Sequence, residues 1–135
     1  MSITLRVRLT YADTDPAGIL YFAAWFPWME RMTVEWAYGH GFRYDRMLAE
    51  HGAAPVATAT SCEYTAPARV YDEIEIAMRV AHIGTSSYRM GFEMTRVADA
   101  LLVARATLSL VCVAGDGRPT PIPDAYRKIL SQEAA

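Results

Sequence analysis

The stretch Tyr11-Ala12-Asp13-Thr14-Asp15-Pro16-Ala17-Gly18 sets two carboxylates one residue apart, with a proline and a glycine just behind them. Four uses of acidic side chains in such a turn can be compared. An EF-hand calcium loop requires an oxygen ligand at its fifth position and Glu at its twelfth, and here those positions hold Ala17 and Ala24, which rejects calcium. An aspartyl-phosphate nucleophile is presented by a doubly wound parallel sheet, which the order of elements below does not provide. Asp also simply accepts hydrogen bonds from turn and helix-start amides. Finally, a carboxylate beside the N-terminus of an apolar helix can attack a carbonyl or activate water while unpaired backbone N–H groups hold the developing oxyanion, which is acyl-transfer machinery. The same donors favour an ionised Asp15, suited to a nucleophile or base. The residues alone leave these last two uses open.

Other reactive side chains carry less. His40, His51 and His82 stand at no ligand spacing, and neither G-x-S-x-G nor H-E-x-x-H occurs, so a serine triad or a zinc hydrolase lacks support. Tyr21, Trp25 and Tyr64 would make an aromatic pocket for an aryl acyl group, although aromatic stripes also build cores. Glu63 and Tyr64 fit a solvated strand face as well as a pocket wall. Arg69, Arg79, Arg89 and Arg105 are candidate phosphate binders, most of them plain surface charges. Cys62 and Cys112 are far apart and read as reduced thiols of a reducing compartment.

The elements that must position the turn are legible from period. Ile3, Leu5, Val7 and Leu9 alternate with polar residues, the mark of a strand. Trp25, Trp28, Met29, Met32 and Trp36 form one stripe of a helix over about 24–38, with Pro27 in its first turn and Gly39 and Gly41 as stops. After a variable connection, four strands are predicted at 56–64, 73–82, 87–97 and 101–113. Gly84 and Ala98-Asp99-Ala100 supply turns too short for parallel crossovers, so the strands are antiparallel. Pro119, Pro121 and Pro123 lead into a short helix at 124–130. One helix laid on one sheet face would use up the core, leaving the other face and the edges to a partner subunit.

With 135 residues, 53% hydrophobic and 21% charged, the chain is predicted to form one domain over 1–135. A net charge of −2 supplies no field for nucleic acid. No signal peptide or spanning segment fits, which predicts a cytoplasmic protein without a membrane partner.

The run from Tyr11 through Asp13, Asp15-Pro16-Ala17-Gly18 and Tyr21-Phe22 to Trp28-Met29-Glu30 closely resembles the 4-hydroxybenzoyl-CoA thioesterase family. The resemblance continues through Glu63-Tyr64, Ala66-Pro67-Ala68, Asp72-Glu73-Ile74, Ile83-Gly84, Ser86-Ser87, Val103-Ala104-Arg105 and Gly117-Arg118-Pro119 with Pro121-Ile122-Pro123, nearly the whole chain. It implies an α+β hotdog fold, a five-stranded antiparallel sheet wrapped around one long central helix. It further implies hydrolysis of acyl-CoA thioesters without metal or cofactor. By resemblance, Asp15 is the nucleophile or general base, the Phe22 N–H polarises the thioester carbonyl, and Gly18 shapes the approach. Ser86, Ser87 and Arg89 match the region that meets coenzyme A in relatives, and Tyr21, Trp25 and Tyr64 fall to the acyl group. The family forms homodimers or homotetramers with active sites at the dimer interface. Pro27 departs from the pattern, so if the helix starts late Tyr21 or Ala23 replaces Phe22 as donor. A hotdog dehydratase, which wants a His paired with an acid, and a non-catalytic acyl-CoA binder are the rival expectations.

Overall fold

The computed structural model describes residues 3–134. Along the chain run β1 (Ile3–Arg8), a short 3-10 turn (Tyr11–Asp13), α1 (Trp25–Gly39), α2 (Tyr44–His51), β2 (Ala54–Tyr64), β3 (Glu73–Ile83), β4 (Ser87–Arg96), β5 (Leu101–Val113) and α3 (Asp124–Ala134). The strands make one five-stranded sheet in the order β1-β3-β4-β5-β2, with every neighbouring pair antiparallel.

The period of two in the sequence becomes one apolar face of this sheet. Leu5 pairs with Ile76, Ile76 with Met94, and Met94 with Ala104, and the last three are wholly buried. Across that face lies α1, which buries Trp25, Met29, Met32, Thr33, Trp36 and Ala37. The Thr33 hydroxyl, which donates to the Met29 carbonyl at 2.8 Å, also lies 3.7 Å from the Met78 sulfur and so marks the contact of helix with sheet. Pro27 is the third residue of α1, inside the first turn, where its missing N–H costs nothing.

Two expectations need correction. The connection before β2 contains the helix α2, which buries only Met47, has no side-chain cap at Arg43 and ends at Gly52, a left-handed residue at φ 76°. A helix with one buried side chain and no cap leaves little periodic signal. Nor does α1 alone fill the core, since Met47 of α2 and Tyr126 and Leu130 of α3 are also fully buried. Tyr44, Tyr88 and Tyr126 tie these elements together, their hydroxyls 3.1–3.2 Å apart. Each can donate once and accept once around the triangle, so the buried Tyr88 and Tyr126 hydroxyls and the part-buried one of Tyr44 satisfy one another. Burial pushes all three phenols up from their ordinary range.

The sheet has two edges, β1 and β2. On β2, Val56 through Ser61 are exposed on both faces, an uncovered strand edge eleven residues long.

Candidate active site

After β1 the chain is fixed by Leu9, whose N–H donates to the Asp72 carbonyl at 2.9 Å and whose own carbonyl accepts from Tyr71 N–H at 2.8 Å. The Thr10 N–H and hydroxyl both donate to Oδ2 of Asp13, at 2.8 and 3.2 Å, so Asp13 closes its own turn. Asp15 is held differently. Its Oδ1 accepts the Ala17 N–H at 2.8 Å, its carbonyl accepts the Gly18 N–H at 2.9 Å, and its N–H donates to the Ile19 carbonyl at 3.0 Å. Gly18 sits at φ 78°, a left-handed conformation that glycine adopts without the steric cost of a β-carbon. Oδ2 of Asp15 has no partner among the described residues, and Asp15 lines a cleft of about 480 Å³.

One wall of that cleft comes from Ile19, Leu20, Phe22 and the buried Trp25, the other from the stretch 64–68 and Val103. The second wall is anchored to β5, where the N–H groups of Thr65 and Ala66 donate to the Val103 carbonyl at 3.0 and 3.3 Å and the Thr65 hydroxyl donates to the Leu102 carbonyl at 2.7 Å. The walls meet where the Leu20 N–H donates to the Ala68 carbonyl at 2.7 Å. The result is an apolar cleft with one carboxylate.

Between the Asp15 turn and α1 lies a lead-in turn. The Tyr21 N–H donates to the Asp13 carbonyl at 2.8 Å, Ala24 N–H to the Tyr21 carbonyl at 2.9 Å, and Phe26 N–H to the Ala23 carbonyl at 3.3 Å. The N–H groups of Phe22 and Ala23 find no acceptor among the described residues, and Ala24 offers no side-chain cap. From across the cleft, the Tyr64 hydroxyl donates to the Phe22 carbonyl. Partial burial pushes the Tyr64 phenol up to about 12, further above the neutral range in which a phenol already keeps its proton.

The structure brings together Asp15, Phe22, Trp25 and Tyr64 in this cleft, with Gly18 in the turn that presents Asp15. Tyr21 lies elsewhere. Its ring meets that of Phe22 edge-on at 4.8 Å, and it lines a neighbouring groove with Asp13, Pro27 and Trp28. With its N–H committed to Asp13, Tyr21 is also removed as an oxyanion donor. Ser86, Ser87 and Arg89 stand at the opposite end of the sheet, since Ser87 pairs with Val111 while Val103 borders the cleft. Eight residues of β5 separate these points, roughly 26 Å at about 3.3 Å per residue. Arg89 donates to the Ser109 hydroxyl at 3.4 Å. Thr65, Pro67 and Val103 line the cleft without having been singled out for a role, and the breaker Ala66-Pro67-Ala68 is their one visible signal.

Cys112 is buried and Cys62 partly so, and burial pushes both thiols up, that of Cys112 to about 11. Among the described residues, no three His, Cys, Asp or Glu side chains gather as a metal site, and no helix is long and apolar enough to cross a membrane.

Residues 9–130 match the thioesterase-like superfamily. The chain is 33% identical over 107 residues to the acyl-CoA thioester hydrolase YbgC of Escherichia coli O157:H7, which covers 79% of this chain and 78% of that protein. The 1,4-dihydroxy-2-naphthoyl-CoA thioesterase of Synechocystis superposes with a TM-score of 0.86 over 97% of this chain and 96% of its own, at 20% identity. The 4-hydroxybenzoyl-CoA thioesterase of Pseudomonas sp. strain CBS-3 gives a TM-score of 0.83 over 95% and 98%, at 22% identity. A five-stranded antiparallel sheet around a long helix is thus the hotdog fold of these structures, and the chain belongs to the thioesterase-like superfamily.

Proposed function

We propose that this protein is an acyl-CoA thioesterase, a metal- and cofactor-independent hydrolase releasing free acid and coenzyme A. One observation carries the reading: the carboxylate oxygen of Asp15 that has no partner among the described residues shares its cleft with Phe22, whose backbone N–H likewise finds none among them. The similarity to YbgC, a thioester hydrolase by name, supports the substrate class.

Two routes use the same carboxylate. As general base, Asp15 takes a proton from water, the hydroxide oxygen adds to the thioester carbon, and the oxyanion rests on the Phe22 N–H. Collapse then breaks the C–S bond, and the thiolate leaves with the proton Asp15 had accepted. As nucleophile, Asp15 forms a mixed anhydride as the thiolate departs, and water hydrolyses that anhydride. Gly18 keeps the turn in the shape that presents the carboxylate. Trp25 and Tyr64 border the acyl group, an aromatic or a short- to medium-chain one.

The assembly is a homodimer or homotetramer in the cytoplasm, with residues 1–135 acting as one thioesterase unit. Phe22 and Tyr64 are 63% and 47% exposed and β2 is an uncovered edge, so a single copy leaves the cleft open where a second copy can cover it. Ser86, Ser87 and Arg89, remote from Asp15 within one copy, serve coenzyme A only when supplied by another.

The test is thiol release from benzoyl-, hydroxybenzoyl-, phenylacetyl-, acetyl-, butyryl- and longer-chain CoA, with wild type and Asp15→Asn in parallel. Turnover that the substitution abolishes supports the reading. Absence of release from every thioester, or turnover untouched by Asp15→Asn, overturns it.

A further inference from the structure

Resting on that reading, we infer that Tyr64 is a positioning residue: its hydroxyl, more than its ring, sets the backbone turn that carries the Phe22 N–H and its neighbour, the Ala23 N–H. In the lead-in turn before α1, the Phe22 carbonyl does not receive the N–H four residues on, because the Phe26 N–H donates to Ala23 instead. The Phe22 carbonyl takes the Tyr64 hydroxyl in exchange, from a different element of the fold.

That bond acts on the chemistry in two ways. It fixes the plane of the Phe22–Ala23 peptide, and so the lead-in turn as a whole, whose Phe22 and Ala23 N–H groups are otherwise unpartnered. It also withdraws density from the Phe22 carbonyl, which makes the Ala23 N–H of the same peptide a stronger donor. Two N–H groups without acceptors in an uncapped turn gain nothing from local bonding, so their orientation depends on restraints from outside.

Tyr64 is well placed to impose one. It ends β2, and the two residues after it are bonded to Val103 and Leu102 of β5. Four residues on, the Ala68 carbonyl holds the Leu20 N–H. The segment Leu20–Phe22 is therefore fastened at both ends to one stretch of chain, with Ala68 holding the side nearer the carboxylate and Tyr64 the side nearer the N–H donors. At neutral pH, well below its pKa, the Tyr64 phenol keeps its proton and is a constant donor.

The inference separates the hydroxyl from the ring, and Tyr64→Phe does the same. Steady-state hydrolysis of the best CoA thioester is measured for wild type, Tyr64→Phe, Tyr64→Leu and Asp15→Asn, with the amide spectrum of the first two. Tyr64→Phe is expected to lower kcat by about tenfold or more, short of the 10²–10³ for removing an oxyanion donor outright. Its KM stays within about twofold, and its Ala23 amide resonance moves upfield while amides of β3 and β4 stay in place. Tyr64→Leu, which loses ring and hydroxyl, is expected to raise KM as well. Wild-type kcat in Tyr64→Phe, a change in KM alone, or an unmoved Ala23 amide would overturn the inference. If wild type turns over and Asp15→Asn does not, such a result leaves the thioesterase reading standing; if wild type hydrolyses no thioester, both fall.

Discussion

The carboxylates of Asp13 and Asp15, one residue apart in sequence, are in opposite states of engagement. Oδ2 of Asp13 accepts both the N–H and the hydroxyl of Thr10, whereas Asp15 gives one oxygen to the Ala17 N–H and leaves the other, beside the cleft, without a partner among the described residues. A doublet ambiguous as sequence thus splits into a turn brace and a carboxylate left open to the cleft.

That division gives the first prediction. Asp15→Asn keeps an acceptor for the Ala17 N–H, so its Tm should stay within a few degrees while kcat falls by about 10²–10⁴, the range for a lost general base. Asp13→Ala should do the reverse, costing about 0.5–2 kcal/mol as a lost cap. It retains most turnover, because the Asp13 carbonyl that holds Tyr21 is backbone. Thermal melts and kcat on the same preparations check both.

Gly18 is the second target. A β-carbon there meets no atom within 4 Å, so Gly18→Ala tests conformation alone at φ 78°. The left-handed penalty of roughly 1–2 kcal/mol should appear in denaturant melts, together with a fall in kcat as the Asp15 turn relaxes.

A third concerns the tyrosine triangle. Tyr126→Phe leaves the hydroxyls of Tyr44 and Tyr88 one partner short in the core, and urea unfolding should show a loss of about 1–3 kcal/mol. Turnover should hold, since Tyr88 pairs with Leu110, far along β5 from Val103.

The fourth follows from acids whose ionisation folding opposes. Cys112 is pushed from 9.0 to about 11 and Tyr64 from 10.0 to about 12, and the triangle's phenols are also raised. Above about pH 9 the native state then holds more protons than the unfolded one, so stability falls as pH rises. A Tm series from pH 8 to 12 should decline progressively, and a flat profile would contradict the upward shifts of these groups.

The fifth addresses assembly. Ala57→Lys with Ala59→Lys places like charges along the exposed edge of β2, where two copies would pair. Light scattering should then report a 15.0 kDa particle, with turnover reduced, where wild type gives a multiple of that mass.

Much of this architecture could be read beforehand because burial enforces period. β5 occupies Leu101–Val113 as predicted, and α1 begins within a residue or so of the position that Pro27 dictates. α2 escaped because one buried methionine sets no period. In the candidate cleft, Asp15 stood out beforehand because a carboxylate is chemically conspicuous, whereas Thr65, Pro67 and Val103 contribute shape and backbone, which residue type does not announce. Tyr21 shows the converse: an aromatic two residues from the cleft's Ile19 that turns to another groove once its N–H is bound by Asp13.

The strand order has a consequence for how the protein acquires activity. β3, β4 and β5 join through tight hairpins, with Ile83 opposite Tyr88 and Arg96 opposite Leu101. β1 and β2, first in the chain, close only against distant partners, as Arg8 with Glu73 and Tyr64 with Ala104. Local hairpins close at less entropic cost than long loops, so the centre of the sheet is expected to form before its margins. Asp15 follows one margin and Tyr64 ends the other. Completion of the candidate site is therefore expected to coincide with the last step of folding, and a chain with its central hairpins in place but either margin frayed should be protected from hydrogen exchange through its middle while remaining inactive.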